Sequence, residues 1–177
     1  YWSLPDLADT IIELGRRFGP GTVDVIGHSL GGRGVVLALA EVANRNPDIR
    51  LGHVVLLAPD MDFEIFERIL PRFRPIAQSI TVYKTAGDRP LALSEQLHGY
   101  PRLGQAGNDV SGLDGVEVID LSDLPSEGPT GHLYHIYSRA VGEDLQRLLN
   151  ARERAEARQG LFEQGNNLWR LRPAEPE

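Results

Sequence analysis

Gly27-His28-Ser29-Leu30-Gly31 stands at the junction of two contrasting stretches. Before it, Thr22–Ile26 is short and β-rich and reads as a buried strand. After it, Leu30–Asn44 is rich in Val, Leu and Ala and reads as a helix, closed by Asn46-Pro47. The pentapeptide fits the pattern G-x-S-x-G. Alone that pattern is weak, because small residues meet by chance. A strand before and a helix after are what a nucleophile elbow needs. The sharp turn calls for small neighbours, and glycine sits two residues to each side of Ser29. The serine hydroxyl would then stand above a sheet, at the positive end of a helix. The Leu30 N–H would be one oxyanion donor. A tight turn with an ordinary serine N-cap is the plainer alternative.

Outward from the elbow, strands and helices alternate. Ser3 is a candidate N-cap for a helix with Leu7, Ile11, Ile12, Leu14 and Phe18 at helical spacing, and Gly19-Pro20-Gly21 stops it. His53–Leu57 is a second strand, ended by Ala58-Pro59-Asp60, and Phe63–Leu70 is a short helix. Ser79–Thr85 is a third strand, followed by the turn Gly87-Asp88-Arg89-Pro90 and a helix over Leu91–Leu97. After a loop over Gly99–Gly115, Val116–Leu121 is a fourth strand. A loop over Asp123–Gly131 leads to an amphipathic helix, Leu133–Leu149. Such alternation predicts βαβ units: an α/β fold, a parallel β-sheet with helices on both faces. Residues 1–149 form that domain, and residues 150–177 are a charged, Pro-ended tail. In the tail, Ala151–Arg158 could extend the last helix. Leu161, Phe162, Leu168, Trp169 and Leu171 either dock on the body or a partner, or belong to a disordered end.

Composition narrows the function. At 177 residues, 41% hydrophobic and 24% charged, the chain has the size and make-up of one globular domain. No cysteine is present, which excludes disulfides, thiolate zinc sites and a cysteine nucleophile, and leaves the compartment open. The net charge of -7 argues against nucleic acid as a partner, because phosphate backbones are met by clustered Lys and Arg. No apolar run approaches the roughly 18–20 residues of a membrane span, and no signal peptide pattern opens the chain. Residue 1 is Tyr and the sole methionine is Met61, so a processed chain or a fragment is expected.

Five stretches resemble the α/β-hydrolase superfamily, and more narrowly the bacterial hydrolases grouped as domain of unknown function 900. They are Gly27–Gly31; Leu56–Asp60 with Met61-Asp62; Val82–Asp88 continuing to Ala92-Leu93-Ser94; Leu97–Gly99 through Arg102-Leu103-Gly104; and Gly131–Tyr134, where that family places its histidine. The resemblance implies the order nucleophile, acid, histidine, each at the C-terminal end of a strand. Ser29, Asp88 and His132 hold those places. A serine hydroxyl needs a base to take its proton, and a carboxylate to hold the imidazole. Asp88 could also be a plain turn residue, and His135 competes with His132. Asp60 and Asp62 lie at the same sheet edge, as an alternative acid, as pocket lining, or as caps for the helix at Phe63. His28 is expected to shape the pocket or pack, and His53 and His98 to be structural or exposed. Arg33 is a surface residue or an anion contact. No metal-ligand spacing and no P-loop occur, and no cofactor is implied.

The expected function is hydrolysis of a small-molecule carboxylic ester through an acyl-enzyme. The same residues would serve an acyltransferase, or survive in a catalytically silent binding module. The visible strands match the C-terminal half of the hydrolase fold. Thr22–Ile26 would then be an edge strand, although it is apolar and carries the nucleophile, a poor edge. A segment before Tyr1, or a partner chain, is expected to cover it, and sequence preceding Tyr1 is expected to supply the second oxyanion donor.

Overall fold

The computed structural model describes residues 3–126 and 128–172. Its elements run α1 (Leu4–Phe18), β1 (Val25–His28), α2 (Leu30–Arg45), β2 (Leu51–Leu57), α3 (Phe63–Phe73), β3 (Ala77–Lys84), α4 (Arg89–His98), β4 (Val116–Asp120), α5 (Tyr134–Tyr137), α6 (Arg139–Leu149), β5 (Leu161–Gly165) and β6 (Leu168–Leu171). The strands form one sheet in the order β1-β2-β3-β4-β6-β5. The first four and β6 are parallel, and β5 runs antiparallel to β6.

Side chains alternate across a strand, so the apolar runs of β2, β3 and β4 feed two cores. Val54, Leu56, Ile80, Val82, Val116 and Val118 face one way and pack with α1, α2 and α3. Val55, Leu57, Tyr83, Ile119 and Leu121 face the other way and pack with Leu91, Tyr134, Val141 and Leu148. The expected parallel sheet with helices on both faces is therefore present. It also sets the C-terminal ends of β1, β3 and β4 along one edge, where the site lies.

Two expectations are corrected, and one open alternative is decided. The first strand runs later than the expected Thr22–Ile26: Val25 to His28 pair with Val54 to Leu57, while the Thr22 hydroxyl bonds back to the Gly19 carbonyl. The helix expected over Leu133–Leu149 is broken at Ser138, which is extended (φ -89°, ψ 118°). Tyr134 is fixed by its hydroxyl to the sheet, while Val141 and Leu148 enter the second core, and the chain bends to satisfy both. For the tail, the expected alternative of docking on the body is the one observed. Asn166 and Asn167 both take positive φ (51° and 64°), the two-residue turn that joins β5 to β6 in a hairpin. β6 then adds to β4, with Ile119 opposite Trp169.

Between α6 and that hairpin, Ala151–Arg158 does not extend the helix. It lays arginines against the sheet. Arg158, fully buried, bonds Asp144 (2.8 Å), Glu117 (3.2 Å) and the Tyr83 hydroxyl (3.0 Å). Arg154 meets the other oxygen of Glu117 at 2.5 Å, and Arg152 pairs with Asp24 at 2.6 Å. Among the described residues no helix is long and apolar enough to cross a membrane.

Candidate active site

Ser29 is the single residue between β1 and α2. Its backbone sits at φ 53°, ψ -127°, a conformation that costs a non-glycine residue about 1–3 kcal/mol. Three backbone hydrogen bonds hold it there. The Ser29 N–H donates to the Leu57 carbonyl (2.9 Å), and the Ser29 carbonyl accepts from Gly32 (3.0 Å) and Asp60 (3.1 Å). The end of β2 thus fixes the turn. A Cβ on Gly27 would come within 2.7 Å of the Gly32 Cα, and one on Gly32 within 3.2 Å of Pro59. The crowded pair is Gly27 and Gly32, not Gly27 and Gly31, whose missing side chain faces open space. Leu30 opens α2, where first-turn N–H groups have no intrahelical acceptor. Its N–H is free of helical duty and lies next to the Ser29 side chain in sequence.

Asp88 and His132 meet. The Asp88 carboxylate is buried and fully engaged: Oδ1 accepts the Leu91 N–H (2.9 Å) as the N-cap of α4, and Oδ2 accepts from His132 Nδ1 at 2.6 Å. Capping the helix and orienting the imidazole are one arrangement, since the cap fixes the carboxylate plane. With Nδ1 donating, His132 Nε2 is left as the basic nitrogen. The loop carrying His132 is fastened at several points. Gly131 sits at φ 70°, and a Cβ there would fall 2.3 Å from the Gly87 carbonyl oxygen. The Arg89 N–H donates to the Thr130 carbonyl at 3.2 Å. The Tyr134 hydroxyl accepts the Ala58 N–H (2.5 Å) and donates to the Tyr83 carbonyl (3.1 Å), tying α5 to the ends of β2 and β3. Burial raises the Tyr134 pKa far above the ordinary tyrosine range, so that hydroxyl stays protonated.

His28, the residue before Ser29, links the two halves of the site. Its ring lies 4.7 Å from that of His132 and 4.6 Å from that of His135. Its Nε2 is 3.3 Å from the His132 carbonyl, to which Nε2–H donates. Burial holds the His28 pKa below the usual value, against the raising effect of its bond to the His132 carbonyl, and burial does the same for His135. No hydrogen bond joins Ser29 to His132 among the described residues.

The alternatives are placed elsewhere. Asp60 accepts from the Ser94 hydroxyl (2.7 Å) and pairs with the buried Arg102 (3.2 Å). Asp62 caps α3 through the Ile65 N–H at 3.0 Å. His135 packs on His28 rather than meeting Asp88. His53 is buried against the Ser79 hydroxyl (2.5 Å), and His98 bonds within α4. The Tyr134 clamp and the Gly87–Gly131 contact went unread in the sequence. A tyrosine two residues after the histidine, and a glycine just before it, were the only traces. Among the described residues no group of three or more ligating side chains could hold a metal ion.

No curated protein matches the chain. Among solved structures, "the putative cell surface hydrolase from Lactobacillus plantarum WCFS1" is similar at 16% identity with a TM-score of 0.46. The likeness covers 86% of this chain and 62% of that one, so the chain spans less than two thirds of that protein's length. The family described as "Alpha/beta hydrolase of unknown function (DUF900)" matches residues 1–152, most of the chain, and this protein belongs to it.

Proposed function

We propose that the chain is a serine hydrolase of carboxylic esters. Ser29 Oγ attacks the acyl carbonyl while His132 Nε2 takes its proton, and Asp88 steadies the imidazolium. The Leu30 N–H receives the developing oxyanion. The alcohol leaves with the proton from His132, and water repeats the sequence on the acyl-enzyme to release the acid. The 2.6 Å bond between His132 Nδ1 and Asp88 carries this reading, because it fixes the tautomer the base requires. The strained Ser29 backbone supports it from the other side. The same proposal includes a cover for β1, which ends the sheet with Ile26 half-exposed. A preceding segment or a partner chain pairing there would bring a second oxyanion donor.

Ser29→Ala tests the nucleophile. Turnover of a short-chain ester should fall on the order of 10⁶-fold, the scale of triad deletions, with the melting curve preserved. Turnover near wild type in the folded variant would remove Ser29 from the mechanism.

A further inference from the structure

A groove of about 480 Å³ runs between the N-terminal halves of α1 and α2. Its lining includes Leu4 and Leu7 from α1, and Leu30, Gly31, Gly34 and Leu37 from α2, with Ser3 and Arg33 completing it. Leu30 is well exposed there, although it directly follows the nucleophile. Gly31 and Gly34 are more telling. Each glycine inside a helix costs about 1 kcal/mol relative to alanine. Gly32 offsets that through its close approach to Pro59, but a Cβ on Gly31 or Gly34 would meet nothing within 4 Å. Three residues apart on one helix, they leave bare backbone beside the groove.

We infer that this groove binds the acyl chain of the substrate, a medium-length saturated chain lying along α2 with its carbonyl end at Ser29. The inference rests on the ester reading above. The groove starts at the residue proposed to hold the oxyanion, so a carbonyl seated at the Leu30 N–H has its chain directed past the Leu30 side chain. From Leu30 to Leu37 the helix runs about 10 Å, the reach of a medium chain. The leucines supply apolar walls, and the glycines let methylenes approach the helix backbone. Transfer of each methylene from water is worth up to about fourfold in affinity.

The test compares two p-nitrophenyl alkylphosphonates, one ethyl and one octyl, on the full chain. In both, Ser29 Oγ bonds to phosphorus, p-nitrophenolate leaves, and the serine proton passes to His132. The readout is the ratio of second-order labelling rates, octyl to ethyl. Wild type should favour octyl by more than about tenfold. Gly34→Phe, which fills the groove, should lower that ratio about tenfold or more, and Gly34→Ala should lower it less. Gly34→Ala should also melt at or above the wild-type temperature, since it gains helix propensity without a clash. A wild-type ratio near one, or a ratio unmoved by Gly34→Phe, overturns the inference and leaves the serine reading standing. A melting temperature lowered by Gly34→Ala, or a changed oligomeric state in Gly34→Phe, shows protein packed in the groove and overturns it too. Failure of both phosphonates to label Ser29 removes the ester reading itself, and the groove's role with it.

Discussion

The Asp88 carboxylate does two jobs with two oxygens, and its replacement separates them. Asp88→Asn keeps an oxygen for the Leu91 N–H but can turn its amide N–H toward His132 Nδ1, leaving the wrong tautomer at Nε2. The same exchange in a serine protease triad lowers kcat about 10⁴-fold with little change in geometry. A similar loss is expected here, measured as kcat on a short-chain ester with the melting temperature as control. Gly131 answers a different question. Gly131→Ala sets a Cβ against the Gly87 carbonyl and must push His132 away from Asp88. Its kcat should fall at least tenfold, at a stability cost of about 1–3 kcal/mol, while far-UV dichroism is unchanged. A fully active variant would show that the loop relaxes without moving the base. Histidine burial also gives a pH signature. His53 faces Ser79, Asp24, Arg152, Glu117 and Arg158, and burial, then Arg152, hold its pKa below 6.5. The unfolded chain therefore takes up the proton first. His53 contributes stability in full above the ordinary value of 6.5, and loses it as pH falls toward the lower folded value. His53→Asn should flatten the fall in urea midpoint between about pH 7.5 and pH 5.5 relative to wild type. Parallel slopes for the two proteins would contradict this.

At the scale of elements, the buried Arg158 ties the segment before the hairpin to the sheet, with Arg154 and Arg152 pairing nearer the surface. Removing Arg158 leaves Asp144 with only the Tyr83 hydroxyl and Glu117 with only Arg154, and breaking a buried pair in this way costs about 3–5 kcal/mol. Arg158→Ala should shift the urea midpoint accordingly, and an unchanged midpoint would mean that the network is idle. The strands and helices up to Leu149 were legible because their apolar periods are long and their stops are glycine and proline. Glu and Arg obscured the hairpin. Leu161 to Leu171 carries its apolar residues as the adjacent pairs Leu161-Phe162 and Leu168-Trp169, with no sustained period of two, and its one strong signal is the turn pair Asn166-Asn167. The break at Ser138 has no local signal at all. It comes from Tyr134 being fixed two strands away, a tertiary demand. The site was legible in the same uneven way. Ser29, Asp88 and His132 sit at turn signals after strands, and a motif could point to them. The Gly87–Gly131 contact depends on two loops meeting across 44 residues, and no periodicity records it.

Across the whole molecule, the parallel sheet brings to one edge groups that the sequence keeps far apart. β1 delivers Ser29 and His28, β3 leads into Asp88, and the loop after β4 crosses back to set His132 beside His28. The open side of β1 and the groove along α2 adjoin the same elbow, so a covering strand would complete both the sheet and the oxyanion site. On the proposed function, this edge activates one serine. Fluorophosphonate labelling followed by peptide mass mapping reads that directly. A single adduct on Ser29 is expected, with no adduct in Ser29→Ala and labelling slowed at least about 10³-fold in His132→Ala, because the base is then missing. An adduct on another residue, or equal labelling of wild type and His132→Ala, would contradict it.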